Sequence, residues 1–128
     1  MTANGPLATK VLDYVERITS AVATAESADD FSAVAELVDV ESFVRVGTFL
    51  EVQDWPTYAA FLAGWASSVD SFESHTRRIT EVDNLAFYET EERHFHGDSS
   101  TVLNSLTVFE FDDSGRIRRL DVYLQKEP

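Results

Sequence analysis

The sequence predicts an α+β fold in which three helices precede a long antiparallel β-meander. Apolar residues recur at helical spacing in the first half of the chain, whereas they alternate with polar residues in the second half. Turn-forming residues separate the alternating segments. Helices followed by hairpins are typical of the α+β class, and we expect a strongly curved sheet to wrap the helices around a cone-shaped cavity. The length of 128 residues fits a single domain, residues 1–128.

Caps and apolar stripes define the helical segments. The segment NGPLATKVLDYVERITSAVATA has Asn4 as a candidate cap and Pro6 at its first helical position. The segment SADDFSAVAELV predicts a short second helix. The third helix begins after Asp54, a good N-cap, with Pro56 in its first turn. Its apolar stripe consists of Tyr58, Phe61, Leu62, Trp65 and Val69.

Alternating segments predict the strands. The segment ESFVRVG predicts a short strand that ends at Gly47, and longer strands are expected at residues 71–80, 84–96, 100–111 and 116–126. The tripeptide GDS closes the hairpin between the second and third long strands, and DDSG closes the next hairpin. The four long strands are therefore expected to form a meander.

The composition limits the classes of partner. The chain has 10 basic and 23 acidic residues and a net charge of −13, so a nucleic-acid backbone would be repelled. The absence of cysteine excludes disulfides and thiolate metal sites. No apolar segment is long enough for a membrane span or resembles a signal peptide, so we expect a cytoplasmic protein without a membrane partner.

His94 and His96 share a strand face with Glu92 but lack a convincing third metal ligand. Solvent exposure is therefore favoured for these histidines, and no cofactor is expected.

Three segments are similar to the first helix, third helix and closing hairpin of one group of proteins. They are DYVERIT, DWPTYAAFL and LTVFEFDDSGRIRRLDVYLQ, respectively. This group is the NTF2-like superfamily, whose branches include ketosteroid isomerases, SnoaL-like polyketide cyclases and limonene-epoxide hydrolases. The resemblance covers nearly the whole chain. It implies a cone-shaped fold with three N-terminal helices packed in a strongly curved antiparallel sheet, a pocket for a small apolar ligand, and a homodimer. Because one fold hosts many functions, it does not specify the chemistry.

The catalytic residues of these branches are only partly matched. Tyr14 matches the helical tyrosine with which ketosteroid isomerases hydrogen-bond a developing oxyanion. The acids of the three standard mechanisms fall at Arg45, Thr107 and Val122, so the resemblance implies that none of these mechanisms is intact. Asp121 lies next to Val122, but successive strand residues face opposite sides, so Asp121 is expected to point away from the apolar side.

The segment ETEERHFHG places charged residues in the middle of a predicted strand. A three-residue GDS loop would pair Glu89 with Thr107 and Phe87 with Phe109 across the hairpin. This register would turn Phe87 and Glu89 toward the cavity. A four-residue loop would reverse the faces and expose the glutamates.

With the three-residue loop, Glu89, Glu91 and Arg93 line the middle of the pocket. Ionised groups cannot be buried alone, so we expect both glutamates to pair with Arg93 and Arg45. Such a network is either catalytic or a buried structural ion-pair network, and the sequence leaves both interpretations open.

The first functional hypothesis is an enzyme of the SnoaL-like type. It would act as an isomerase, cyclase or dehydratase on a small apolar carbonyl, enol or epoxide compound. A glutamate would act as general base, and Tyr14 with an arginine would stabilise the oxyanion. His75 is a further candidate because scytalone-dehydratase-like members place a catalytic histidine on the equivalent strand, although a single histidine in a strand is more often simply hydrogen-bonded or exposed. The candidate catalytic residues are Tyr14, His75, Glu89, Glu91 and Arg93. The candidate substrate contacts are Arg45, Phe61, Trp65, Phe87, Thr107, Phe109, Leu120 and Val122.

Two non-catalytic hypotheses compete with this one. The same pocket could hold an apolar ligand by shape alone, with its charges locked in pairs. Alternatively, the protein is a structural dimer. The outward face of the last two strands favours sheet-to-sheet pairing because it carries Val102, Leu106, Val108 and Tyr123.

Overall fold

The computed structural model describes residues 5–24 and 27–126. Helix α1 spans Pro6–Thr24, a 3₁₀ turn at Ala28–Phe31 leads into the short helix α2 at Ser32–Ala35, and α3 spans Trp55–Ser68. The predicted cap Asn4 lies outside the described residues. The cap of α3 is confirmed, since the Asp54 side chain accepts a hydrogen bond of 3.0 Å from the backbone nitrogen of Thr57.

The strands are β1 (Val44–Val46), β2 (Val52–Gln53), β3 (Ser71–Val82), β4 (Leu85–His96), β5 (Ser99–Phe111) and β6 (Ile117–Lys126). They form one sheet in the order β2-β1-β6-β5-β4-β3. The meander of the four long strands is confirmed. Two features were not predicted. The first is the two-residue strand β2 itself. The second is the parallel pairing of β1 with β6, so the sheet is not purely antiparallel.

The β4–β5 hairpin has a different register from the predicted one. His96 pairs with Ser99, so the loop contains only Gly97 and Asp98, and Gly97 supplies the positive φ (60°) that such a tight loop requires. Glu89 therefore lies opposite Leu106 rather than Thr107. The same one-residue difference places Phe87 opposite Val108 rather than Phe109, and a shift of one residue turns every β4 side chain to the other face.

The concave face of the sheet packs against the helices. The fully buried side chains cluster around the end of β5 and the start of β6, where Phe109, Ile117 and Leu120 meet Val11 of α1. Tyr14 packs edge-to-face on Phe109, with the ring centroids 5.3 Å apart. Phe109 and Leu120 also border a cavity that lies between the helices and the concave face of the sheet.

Candidate functional site

The cavity has a volume of about 330 Å³, within the range of small-molecule pockets. Helices α1 and α3 form one wall, and the concave faces of β1 and β3–β6 form the other. Half of the lining residues are apolar. The polar and charged ones are Tyr14, Thr19, Arg45, Tyr58, Ser74, Tyr88, Thr90, Glu92, His94, Ser105 and Thr107.

Several residues singled out from the sequence line this cavity. They are Tyr14, Arg45, Phe61, Trp65, Thr107, Phe109, Leu120 and Val122. Asp121 faces the opposite side of β6, as expected, and forms an ion pair of 2.9 Å with Arg119. The positions at which the acids of related mechanisms would fall are therefore inside the pocket, but they carry arginine, threonine and valine.

Five other candidates do not line the cavity, because the two-residue hairpin loop turns their part of the sheet outward. They are His75, Phe87, Glu89, Glu91 and Arg93. The prediction that the glutamates pair with Arg93 and Arg45 is wrong. Glu89 instead binds Arg78, with a distance of 2.9 Å between Arg78 Nη2 and Glu89 Oε1, and Glu91 lies 3.6 Å from Arg77.

These outward charges form a solvated surface. The hydrogen bond from Arg78 lowers the pKa of Glu89 below its ordinary value, so this carboxyl is ionised and is a poor general base. The side chain of His75 is 70% exposed, and Arg93 is exposed and has no ion pair among the described residues. In ETEERHFHG, Glu89, Glu91 and Arg93 therefore lie on the outer face of the sheet, where the glutamates are half-buried and Arg93 is exposed.

The first polar group inside the cavity is a pair of tyrosines. The hydroxyl oxygens of Tyr14 and Tyr58 are 2.7 Å apart, and both rings are buried. One hydroxyl proton makes the bond between them, and the other has no acceptor among the described residues. Burial raises the pKa of both phenols above the ordinary value of 10.0, so the pair is neutral at physiological pH. The pair therefore offers one O–H donor to a ligand.

Arg45 lies beside this pair. Its guanidinium carbon is 5.1 Å from the ring centroid of Tyr58 and 5.3 Å from that of Phe61, in cation–π geometry. Arg45 Nη1 donates a 2.8 Å hydrogen bond to the side-chain oxygen of Gln53 on β2, and the carboxylate of Glu51 is 3.8 Å away. Strand β2, which was not predicted, thus fixes through Gln53 the position of Arg45, the arginine that lines the cavity.

The second polar group is formed by Glu92 and His94, on the face of β4 that the structure turns inward. Glu92 Oε1 and His94 Nε2 are 3.2 Å apart, and their side chains are 24% and 15% exposed. The imidazole of His94 lies against aromatic rings, 5.3 Å from Trp65 and 6.2 Å from Phe72 between centroids. The expectation of solvent exposure is wrong for His94, whereas His96 is exposed.

A hydroxyl-lined wall separates the two polar groups. Ser74 Oγ is 3.0 Å from Thr90 Oγ1 and 3.3 Å from the Tyr88 hydroxyl. Thr90 in turn donates a 3.0 Å hydrogen bond to the carbonyl of His75. These hydroxyl groups satisfy one another's hydrogen-bonding capacity across β3 and β4. They line the cavity as neutral polar groups.

The cavity combines hydrogen-bond donors with a carboxylate–imidazole pair. Glu92 and Tyr58 interact electrostatically, since the negative charge of Glu92 contributes to the raised pKa of Tyr58, after the larger effect of burial. A ligand between them would meet a donor on one side and a proton acceptor on the other. Within residues 5–24 and 27–126, no group of three metal-binding side chains comes together. No helix of this part of the chain could cross a membrane.

No protein-family model and no curated protein matches the sequence. Solved structures do match. A candidate SnoaL-like polyketide cyclase from Shewanella denitrificans has a TM-score of 0.75 at 13% identity, with 93% of this chain and 90% of the other covered. An NTF2-like protein of unknown function from an Exiguobacterium species has a TM-score of 0.75 at 10% identity, with coverages of 92% and 99%. An LEH-like epoxide hydrolase from Mycobacterium tuberculosis has a TM-score of 0.67 at 22% identity, with coverages of 91% and 84%. At these identities the matches establish the architecture alone: the chain has the α+β cone fold of the NTF2-like superfamily.

Proposed function

We propose that the protein is a cofactor-independent enzyme that moves a proton on a small, largely apolar carbonyl or enol compound, as an isomerase, cyclase or dehydratase does. The observation that carries the proposal is the presence, in one cavity, of a neutral phenol pair with a spare O–H and of a Glu92–His94 pair. General acid–base catalysis requires a positioned base and a stabilised oxyanion, and these two groups meet both requirements.

The proposed base is the Glu92–His94 pair. Its carboxylate or imidazole removes a proton from the carbon next to the carbonyl, and the C–H electron pair forms the carbon–carbon double bond of the enolate. The negative charge that develops on the carbonyl oxygen is stabilised by the spare O–H of the Tyr14–Tyr58 pair. Return of the proton to another carbon, or loss of a leaving group, completes an isomerisation or an elimination.

The structural neighbours support this class of function without specifying it. The Shewanella denitrificans protein is a candidate SnoaL-like polyketide cyclase, and the Mycobacterium tuberculosis protein is an LEH-like epoxide hydrolase. The acids expected from those mechanisms are absent from the corresponding positions here. The proposal therefore assigns the role of the base to Glu92 and His94 on β4.

Hydrogen–deuterium exchange tests the proposal. β-Tetralone has an activated carbon beside its carbonyl, and its exchange in deuterated buffer is followed by NMR. Wild type is expected to accelerate exchange, and Glu92→Gln is expected to reduce the acceleration by about a hundredfold or more, the range that a general base contributes. Glu91→Gln is the matched control, since it removes the same charge one residue away on the outer face. Equal rates for wild type and Glu92→Gln would contradict the proposal.

The alternative function is a non-catalytic binding module. One observation favours it: among the described residues, no buried side-chain nitrogen or oxygen lacks a hydrogen-bond partner, as expected of a pocket that holds an apolar ligand by shape. β-Naphthol, which resembles the enol of β-tetralone, separates the two functions. Catalysis predicts that Tyr14→Phe weakens naphthol binding, because the oxyanion donor is lost. A shape-based module predicts that binding is unchanged and that no exchange occurs.

A further inference from the structure

Arg45 is a buried cation with no carboxylate at hydrogen-bonding distance. Its side chain is 11% exposed, and the two side-chain groups that accept hydrogen bonds from it, the amide of Gln53 and the hydroxyl of Tyr58, are both neutral. The carboxylate of Glu51 is 3.8 Å away, beyond hydrogen-bonding distance, and is itself 43% exposed. Glu51 Oε2 already accepts a hydrogen bond of 3.0 Å from the backbone nitrogen of Phe49. A guanidinium has five N–H donors, so most of those of Arg45 are available to a ligand.

The other arginines of the described residues differ from Arg45 in burial and in pairing. Those that form ion pairs lie 3.6 Å or less from a carboxylate, and their side chains are 31% to 69% exposed. Arg93 and Arg116 are exposed. Among these arginines, Arg45 is therefore the one that is buried without a carboxylate at hydrogen-bonding distance, in a chain with 13 more negative than positive charges. A buried charge is costly when unpaired, so an anion is the expected complement of Arg45.

We propose that the ligand is an aryl-substituted oxo acid whose carboxylate binds the guanidinium of Arg45. This inference rests on the proposed function and specifies its substrate class. Arginine binds carboxylates through two parallel N–H···O hydrogen bonds, which a neutral ligand cannot reproduce. Because Arg45 lies against the ring of Tyr58, a carboxylate held there brings an adjacent carbonyl oxygen toward the spare phenol O–H.

The opposite end of the cavity suits the aryl group. Strands β1 and β4 are separated by β6 and β5, which corresponds to about 14 Å along the sheet at three interstrand spacings. The rings of Trp65 and Phe72 lie at the β4 end, within 5.1 Å of each other between centroids. Glu92 also projects into the cavity from β4, and its charge acts on Tyr58, beside which Arg45 lies.

Binding of phenylpyruvate and of its neutral amide tests the inference by calorimetry. Wild type is expected to bind the acid about ten- to a hundredfold more tightly than the amide, as a charge-assisted hydrogen-bonded pair would provide. Arg45→Gln should remove this preference and leave amide binding within about twofold, because a neutral amide does not use the guanidinium charge. Arg93→Gln is the control for charge alone, since Arg93 is exposed on the outer face, and it should retain the preference.

Glu51→Gln provides a second measurement that leaves Arg45 in place. It removes the competing carboxylate, so acid binding should become severalfold tighter while amide binding stays the same. Equal affinities for acid and amide in wild type, no binding of phenylpyruvate at millimolar concentration, or a preference that survives in Arg45→Gln would overturn the inference. If Arg45→Gln does not fold, an unchanged or weaker acid preference in Glu51→Gln overturns it.

The outcomes for substrate class and for catalysis can be distinguished. Retained acid preference without any deuterium exchange contradicts the proposed proton transfer and supports the anion site. Exchange of β-tetralone together with equal binding of phenylpyruvate and its amide contradicts the anion site and supports the proton transfer.

Discussion

At the scale of single residues, the two buried phenols link the pocket to the stability of the protein. Burial is the main cause of the raised pKa of Tyr14 and Tyr58, and the folded state therefore holds both protons more tightly than the unfolded chain does. Below the ordinary phenol pKa of 10.0, both states are protonated and this difference has no effect on stability. Above it, only the unfolded chain loses these protons.

We therefore predict that the free energy of unfolding falls as the pH rises above about 10, because the unfolded state then binds fewer protons than the folded state. Replacing both tyrosines by phenylalanine removes the two titrating groups, so the double variant should lose less stability between about pH 9 and about pH 11. Urea unfolding of both proteins at the two pH values measures this. Tyr123→Phe, at a tyrosine that is 58% exposed, serves as the control. Identical losses in wild type and the double variant would contradict the prediction.

At the scale of elements, β4 explains both the success and the failure of the sequence prediction. The helices and the four long strands follow from local periodicity and turn residues, so their positions are predicted to within a few residues. The faces of β4 depend on whether the loop after His96 has two or three residues. Gly97 and Asp98 fit either loop, but a difference of one residue exchanges the two faces.

The candidate site was predicted in part for the same reason. Tyr14 and Arg45 lie on elements whose orientation follows from local patterns. The pair of Glu92 and His94 was assigned to the solvent side, although the alternation itself placed both residues on one face. Strand β2 was missed because its two residues carry no periodicity, and the hydrogen bond between Arg45 and Gln53 depends on tertiary structure.

The observed register of β4 makes a prediction about Arg93. Since Arg93 is exposed and has no ion pair among the described residues, Arg93→Leu should change the free energy of unfolding by less than about 0.5 kcal/mol. Arg78→Leu, which breaks the exposed pair with Glu89, should cost up to about 1 kcal/mol and should be sensitive to salt. Urea denaturation at low and high salt measures both effects. A loss of about 3 kcal/mol or more in Arg93→Leu would instead indicate a buried ion pair, as in the register that the sequence suggested.

At the scale of the whole molecule, the outer face of the sheet combines apolar residues with charge. Leu106 and Val108 of β5 are half-buried between neighbouring side chains, and Tyr123 of β6 is 58% exposed. A second cavity of about 290 Å³ lies on this face, lined in part by Leu106 and Tyr123. A face that combines apolar side chains with a groove suits a self-complementary contact between two copies of the chain.

We predict that the protein forms a homodimer through this outer face. Leu106→Asp and Val108→Asp each place an uncompensated charge in the contact and should yield a monomer or an aggregate in sedimentation experiments. Val40→Asp is the control, because Val40 is 44% exposed in the connection between α2 and β1. Each chain has a net charge of −13, so two copies repel each other at long range, and salt screens this repulsion. Dimer affinity should therefore increase with ionic strength, whereas an interface held mainly by ion pairs would weaken. A wild-type monomer at all salt concentrations would exclude the homodimer, and a dimer that persists in both aspartate variants would place the contact on another surface.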